Sequence, residues 1–186
     1  MKQPVLIIVL ALGLLIPGFA IAQTAAADNK VSQSITFHAI PAGPQVPGVF
    51  QGRPPCKGLV TQLGLAIDAG NPKLKCNLVL HRNAAAGQPG NYTLNIVGGG
   101  PFITEGGNHY RRTDLEGEWD IVKGIPGDNN AEVYRLQIPK TSTYVYLLKG
   151  DDNVLFVLDE NKRLLTGDGD FSYTLNRVEL VAGIKP

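Results

Sequence analysis

The sequence predicts an all-β domain, a small antiparallel meander β-barrel of about eight strands that is lipocalin-like in shape. Three observations predict it. Apolar residues recur at every second position in many short segments. Clusters of Gly, Asp, Asn and Pro separate these segments at short intervals, which favours hairpin connections. No window of twelve residues anywhere in the chain combines an apolar period of 3.6 with helix caps.

The first residues have the pattern of a secretory signal peptide. Lys2 is the only charge before an apolar run that begins at Val5, and Ala20-Ile21-Ala22 offers small residues where a signal peptidase cleaves. The run is shorter than the ~20 apolar residues that cross a bilayer, and no cysteine follows Ala22. We therefore expect residues 1–22 to be a signal peptide and the mature chain to be periplasmic or secreted, with no membrane span.

The expected mature chain carries no net charge. Removal of Lys2 with the signal peptide leaves 16 basic and 16 acidic residues. Such a chain lacks the basic footprint of a nucleic-acid-binding protein, and its field does not steer charged partners over long distances. The composition therefore excludes nucleic acid as the expected partner.

The mature chain divides into an arm and a barrel. Residues 23–46 are rich in Ala, Gln, Ser and Pro, and Pro41 and Pro44 interrupt regular structure. This segment is predicted to be a flexible N-terminal arm with a short strand at residues 35–39. Residues 47–186 form the predicted barrel domain, which is long enough for a substantial core.

The alternation of apolar residues places the strands in order. The first strand is expected at residues 59–67, where every second residue is Leu, Thr or Ile. Further strands are expected at residues 76–80, 92–96, 109–113, 118–122, 134–138, 144–148, 154–158 and 173–177. The run Gly98-Gly99-Gly100 is interpreted as a loop, and residues 151–153 and 159–162 as tight turns, because Asp and Asn bond to nearby backbone. In the strand 144–148 we expect Tyr144, Tyr146 and Leu148 to share a face.

Motifs for catalysis or metal binding are weak throughout. The chain has no Gly-x-Ser-x-Gly elbow, and its acidic pairs lie in predicted turns. The single Met is the initiator, and His38, His81 and His109 are isolated from one another in sequence. These observations predict a protein that is not an enzyme and has no cofactor.

Cys56 and Cys76 are the two cysteines of the chain. Because export places them in an oxidising compartment, a disulfide between them is the favoured interpretation. It would close a loop of about twenty residues and stabilise the fold by ~3 kcal/mol. A thiolate pair between Cys56 and His81 or His109 is the alternative.

Three aromatic residues are candidates for ligand binding. Trp119, Tyr134 and Tyr146 lie on predicted strands of the barrel. Trp119 either lines a cavity or fills the core, and a large aromatic side chain more often fills the core.

The landmarks occur in the order of a known family. They are Gly48-Val49-Phe50-Gln51-Gly52-Arg53-Pro54-Pro55-Cys56, Asn91-Tyr92-Thr93-Leu94, Glu105-Gly106-Gly107, Gly117-Glu118-Trp119, Val133-Tyr134-Arg135-Leu136, Tyr146-Leu147-Leu148, Val154-Leu155-Phe156-Val157-Leu158-Asp159 and Tyr173-Thr174-Leu175. Over residues 48–178 the chain resembles the N-terminal domain of the NlpE family, envelope proteins associated with copper resistance and envelope-stress signalling. The resemblance implies a barrel that binds or signals and does not catalyse.

The resemblance also singles out one cysteine. The family has a CxxC pair after the Gly-x-x-x-Gly-x-x-Pro opening, a suspected metal or redox feature. Cys56 occupies the first position, so it is the candidate metal ligand, and copper is the implied metal. Leu59 stands at the second position, so the pair is broken, and the lipoprotein cysteine of the family is missing.

These inferences lead to one expected function with three rivals. The chain is expected to be an exported, non-catalytic binding or signalling barrel of the bacterial envelope, whose partner is a small ligand or an envelope protein. The first rival is a lipocalin-like carrier that encloses a small apolar ligand. The second is copper handling through Cys56 and a histidine. The third is an inhibitor that presents residues 83–90 or 98–108 to a target enzyme.

Overall fold

In the described part of the chain, eight antiparallel strands close into a barrel, and one helix follows the first strand. The structure, a computed structural model, describes residues 41–83, 87–104 and 107–178. The elements are β1 (Gly48–Gly52), α1 (Cys56–Leu63), β2 (Lys75–Arg82), β3 (Pro89–Thr104), β4 (Gly107–Ile125), β5 (Asp128–Gln137), β6 (Tyr144–Lys149), β7 (Val154–Leu158) and β8 (Thr174–Arg177). Each strand pairs with the next one in sequence, and β8 closes against β1. The predicted small all-β meander barrel is confirmed.

Two predicted N-terminal segments lie outside the described residues. These are the signal peptide at residues 1–22 and most of the arm, including the short strand expected at residues 35–39. Among the described residues, no helix has the length and the apolar character needed to cross a membrane.

The barrel interior is filled by alternate residues of each strand. The core cluster takes from β2 and β3 the residues predicted by period two, at 76, 78 and 80 and at 92, 94 and 96. On β2, Asn77 and Val79 on the opposite face are buried as well. Burial of one such Leu or Ile contributes about 1.5–3 kcal/mol. The core is therefore a single cluster that all the strands share.

The strand predicted at residues 59–67 is wrong, because most of that segment is the helix α1. Its buried or partly buried apolar residues are Cys56, Leu59, Val60 and Leu63. They stand at positions i, i+3, i+4 and i+7, which is one face of a helix. The separation of four residues between Leu59 and Leu63 fits the period of two of a strand and also the period of 3.6 of a helix. Their spacing alone therefore does not distinguish a strand from a helix. Gly64 ends the helix in the left-handed conformation with φ of 58°.

The strands around the glycine run are longer than predicted. β3 continues through Gly98-Gly99-Gly100 to Thr104, so the interpretation of this run as a loop is wrong. The strands expected at 109–113 and 118–122 are one strand, β4. The β3–β4 pairing shifts its register between Gly99 and Ile103. Glycine also lets another segment approach β3 closely, since a Cβ on Gly98 would lie 2.6 Å from the Ile67 side chain.

β4 joins the two halves of the barrel by changing its partner. It pairs with β3 as far as Glu118 and with β5 from Trp119 onward. At this junction a Cβ on Gly117 would lie 2.6 Å from the Gln137 carbonyl oxygen, and the Tyr92 hydroxyl donates to the same oxygen at 2.7 Å. Glycine is required at the corner because the backbone of β5 passes so close.

β6 has the opposite orientation to the one expected from its tyrosines. Val145 and Leu147 belong to the buried core, so Tyr144 and Tyr146 lie on the outer face. Both sets are apolar enough to be buried, and the core selected the aliphatic set.

The tight turns form as predicted. The Asp151 carboxylate accepts from the backbone N–H groups of Asn153 and Val154, and the Asp159 carboxylate accepts from those of Asn161 and Arg163. This local chemistry is why such turns are readable from sequence.

A candidate binding groove beside the helix

The barrel interior leaves almost no free space. A cavity among the described core side chains has a volume of about 20 Å³, which is near the minimum for one water molecule. Its lining is entirely apolar and comes from α1 and six strands: Leu59, Leu63, Cys76, Leu78, Leu94, Ile96, Leu136, Val145, Leu147, Val157 and Leu175. Small-ligand pockets usually measure about 300–1,000 Å³, so this cavity is far too small for such a ligand.

Two of the predicted ligand-binding residues meet inside the barrel. Trp119 is buried and its indole N–H donates to the His81 carbonyl oxygen at 2.8 Å. Its ring contacts the ring of Tyr134, with centroids 5.1 Å apart and planes inclined by 58°. Burial raises the pKa of the Tyr134 hydroxyl. Both side chains pack the core.

Charged side chains surround the interior near Tyr134. Glu132 pairs with Lys123 at 3.5 Å and with Lys149 at 3.8 Å, and Lys149 also pairs with Asp152 at 3.1 Å. These pairs are partly exposed, and each contributes at most about 1 kcal/mol. This end of the barrel is therefore bordered by charged side chains and does not present an apolar entrance to the interior.

Both cysteines are free thiols in the structure, so the predicted Cys56–Cys76 disulfide is not formed there. The Cys56 thiol donates instead to the Asp68 carbonyl oxygen at 3.3 Å. Burial, and then the nearby Asp68 carboxylate, raise the pKa of the Cys56 thiol. Burial raises the pKa of the Cys76 thiol to about 12, and a charge on Cys56 acts in the same direction. The two thiols are therefore neighbours that both favour the protonated form.

We expect the disulfide in protein purified from an oxidising compartment. Without reductant, the unfolded protein should expose no thiol to a thiol reagent, and reduction should lower its free energy of unfolding by up to about 3 kcal/mol. The control is the variant with both Cys56→Ser and Cys76→Ser, whose stability should not respond to reductant. Two reactive thiols per unreduced chain would contradict the prediction.

The predicted pairing of Cys56 with a histidine gains no support from the described residues. Cys56 begins α1 after the end of β1, whereas His81 lies near the far end of β2. The side chains of His38 and His109 lie outside the described residues. Within the described part of the chain, no three His, Cys, Asp or Glu side chains group as metal ligands.

A groove lies beside α1 on the outside of the barrel. Its volume is about 600 Å³, and α1, the β5–β6 connection, β6 and the β7–β8 connection line it. The lining residues, called the helix groove below, are Gly58, Thr61, Gln62, Ser142, Thr143, Tyr144, Tyr146, Asp159, Glu160 and Leu165. Tyr146, the third predicted ligand-binding residue, therefore lies in this groove and apart from Trp119 and Tyr134.

Specific contacts hold the helix side of the groove in place. The Gly58 backbone N–H donates to the Tyr173 hydroxyl at 3.2 Å, and a Cβ on Gly58 would lie 2.7 Å from that oxygen. The Gln62 side chain donates to the Leu158 carbonyl oxygen at 3.5 Å. The helix is thus attached to the start of β8 and to the end of β7.

The tyrosine side of the groove is held by cations of the chain itself. The rings of Tyr144 and Tyr146 have centroids 6.2 Å apart. The Arg135 guanidinium lies 4.8 Å from the Tyr144 centroid, and the Lys162 ammonium lies 5.7 Å from the Tyr146 centroid. Arg135 is in turn fixed by Asp120, which accepts from its Nε at 2.9 Å.

Sequence reasoning found one residue of the groove and missed the others. Ser142, Thr143, Asp159 and Glu160 are ordinary turn residues, and no spacing in the sequence connects them with α1. The neighbouring pair Tyr144 and Tyr146 was the available signal, but it was expected to share a face of the sheet without any indication that this face lines a groove.

A second groove, of about 680 Å³, lies near the opposite end of β2. Its lining includes His81, Arg82, Glu116 and Glu118 together with the backbone of Gly90 and Gly117. The only aromatic residue that lines it is Tyr92, which is buried and whose hydroxyl already donates to Gln137. This groove offers charges of both signs but no accessible tyrosine or tryptophan ring.

Comparisons of the chain with protein-family models, with curated proteins and with solved structures find no match.

Proposed function

We propose that this chain is an exported, non-catalytic binding barrel of the bacterial envelope that takes its ligand in the helix groove and not in the barrel interior. The observation that carries the proposal is the contrast between an interior cavity of about 20 Å³ and an outer groove of about 600 Å³. Of these two spaces, only the helix groove has a volume within the range of about 300–1,000 Å³ that is typical of ligand pockets.

The packed core argues against the carrier. A lipocalin-like carrier encloses its ligand among apolar interior side chains. Here α1 contributes Leu59 and Leu63 to the interior, and Trp119 fills it from β4. A ligand inside would have to displace α1 or several core side chains.

The state of the thiols argues against catalysis and weakens the copper rival. The reactive species of a cysteine, as nucleophile and as metal ligand, is the thiolate. In the reduced protein, burial raises the pKa of both thiols and so disfavours the thiolate, and in the oxidised protein the predicted disulfide occupies both sulfurs. Copper handling through Cys56 would require Cu(I) to displace these protons, and a Cu(I) titration of the wild type against Cys56→Ser tests it.

Other features support export and a binding role. The pattern of residues 1–22 supports export. The resemblance to the NlpE family supports a binding or signalling role in the envelope. The inhibitor rival would use residues 83–90 or 98–108, whereas the described residues that line the helix groove come from α1, β6 and the connections on either side of β6 and β7.

Site-specific photo-cross-linking in cells tests where the partner lies. A benzoylphenylalanine at Ser142, which is exposed in the groove, should form an adduct. The matched position is Asn129, which is exposed near the β4–β5 turn and outside the groove. Adducts at Asn129 but not at Ser142 would overturn the assignment to the groove, and so would a small apolar molecule bound inside the barrel in native mass spectrometry.

A further inference from the structure

We infer that the helix groove binds a neutral oligosaccharide. This inference rests on the proposed function, because it names the ligand class for the same groove. Three features of the groove support it: a pair of tyrosine rings, a surrounding set of uncharged hydrogen-bonding groups, and a small net charge.

The tyrosine pair offers an aromatic surface for the apolar faces of sugar rings. Tyr144 and Tyr146 are half-buried neighbours on the outer face of β6, and both line the groove. A pyranose ring presents C–H groups on its faces and hydroxyls at its rim, so it stacks on an aromatic ring while its hydroxyls stay free to bond. A tyrosine has an apolar body and a polar tip, which suits this amphipathic surface.

The rings are already held in position. Each of the two rings has a cation of the chain near it, Arg135 for Tyr144 and Lys162 for Tyr146. A side chain that is fixed before binding loses less conformational entropy when the ligand arrives. The anchoring of α1 through Gly58 and Gln62 acts in the same direction on the opposite wall.

The rest of the lining matches the hydroxyl groups of a sugar. Ser142 and Thr143 supply hydroxyls that donate and accept. The Thr61 hydroxyl donates to the Lys57 carbonyl oxygen and can still accept from a ligand. The Gln62 amide, one N–H of which donates to the Leu158 carbonyl oxygen, keeps its second N–H and its oxygen for a ligand. The carboxylates of Asp159 and Glu160 accept from hydroxyl donors and make stronger bonds than neutral acceptors. Leu165 is the only aliphatic side chain among the lining residues, so the groove does not suit a lipid chain.

The charge at the groove favours an uncharged ligand. The lining carries two carboxylates, and the cations Arg135 and Lys162 stand beside its two tyrosines. The charge of Arg135 is compensated by its ion pair with Asp120, which leaves Lys162 against the two carboxylates of the lining. The sum is one negative charge, so an anionic polymer would gain no attraction and a cationic polymer only a small one that salt screens. A basic peptide would also meet the two cations that already flank the rings.

Titration with defined oligosaccharides tests the inference. Chitohexaose, cellohexaose and maltohexaose are the neutral probes, hexalysine is the cationic probe, and amide shifts of the ¹⁵N-labelled full mature protein are the readout. We expect at least one neutral probe to bind with a dissociation constant below about 1 mM, with shifts concentrated in α1, β6 and residues 159–165. Since the probe is uncharged, its affinity should not fall when the salt concentration is raised.

The variants separate stacking from general damage. Tyr146→Ala should weaken the binding about tenfold, equivalent to about 1.4 kcal/mol, because it removes one of the two rings on which the sugar stacks, whereas Tyr146→Phe should retain most of the affinity. The matched control is Tyr110→Ala, because Tyr110 is also an exposed strand tyrosine with a lysine, Lys75, 6.0 Å from its ring centroid. It should bind as the wild type does.

The outcomes distinguish this inference from the proposed function. Absence of binding by all three neutral probes, equal binding by Tyr146→Ala, or tighter binding of hexalysine would overturn the oligosaccharide. If the Ser142 cross-link nevertheless yields a protein adduct, the groove remains the binding site and only the ligand class is wrong. If Ser142 yields no adduct and the neutral probes shift residues outside the groove, both are wrong.

Discussion

Replacement of Trp119 by alanine is expected to lower the free energy of unfolding by about 3–5 kcal/mol, which is the usual cost of removing a large buried aromatic side chain. Trp119 is 6% exposed and contacts Tyr134 inside the barrel. The substitution would also leave the His81 carbonyl oxygen without the indole N–H that donates to it. Urea unfolding followed by circular dichroism measures the loss.

Two further variants separate the contributions of Trp119. Trp119→Phe keeps most of the apolar contact but not the N–H, so we expect a loss of about 1–3 kcal/mol for the unpaired carbonyl and the smaller ring. Ile121→Ala, on the same strand but with a side chain that is 43% exposed, should change stability by no more than about 0.5 kcal/mol. A Trp119→Ala variant as stable as the wild type would contradict the packed interior and would favour the hypothesis of a lipocalin-like carrier.

Replacement of Gly52 by alanine is expected to open the seam of the barrel and to lower the free energy of unfolding by about 1–3 kcal/mol or more. A Cβ at Gly52 would lie 2.2 Å from the Thr174 carbonyl oxygen and 2.7 Å from the Leu175 side chain. The first of these atoms belongs to the backbone of β8, so it cannot rotate away. Thermal or urea unfolding measures the loss.

The location of the damage is as informative as its size. β1 and β8 are joined at two paired positions, Phe50 with Arg177 and Gln51 with Asn176. Amide hydrogen exchange should therefore accelerate in β1 and β8 of Gly52→Ala before it does in β3 and β4, which share the longest pairing. Gly169→Ala is the matched control, because a Cβ there meets no atom within 4 Å. Unchanged exchange at the seam would mean that β8 does not close the barrel.

The strands and turns were predictable where local chemistry is decisive. β3 alternates between buried and more exposed residues from residue 91 to residue 98, and that alternation has one interpretation for a half-buried strand. β2 places every second residue, at 76, 78 and 80, in the core cluster. The turns at Asp151 and Asp159 depend on a side chain that bonds to backbone two to four residues away. Neither feature needs information from the rest of the chain.

The helix and the orientation of β6 were not predictable in the same way. Leu59 and Leu63 are four residues apart, a separation that satisfies both a period of two and a helical period, so the fit to the barrel opening decides between them. β6 alternates tyrosine with aliphatic residues, and either set can be buried. Packing against α1 and the other strands selected Val145 and Leu147 for the interior.

By itself, the sequence determined the all-β class, most of the strand positions and the positions of the Asp turns, because hydrophobic alternation and turn hydrogen bonds act over a few residues. It placed no strand at Gly48–Gly52, where β1 lies. The tertiary structure decided that the interior is filled and that the helix groove exists. The groove joins Thr61, Tyr146 and Glu160, which are separated by many residues in the chain. Such a site arises only when α1 covers the barrel and the β7–β8 connection returns beside it, and no local pattern encodes that approach.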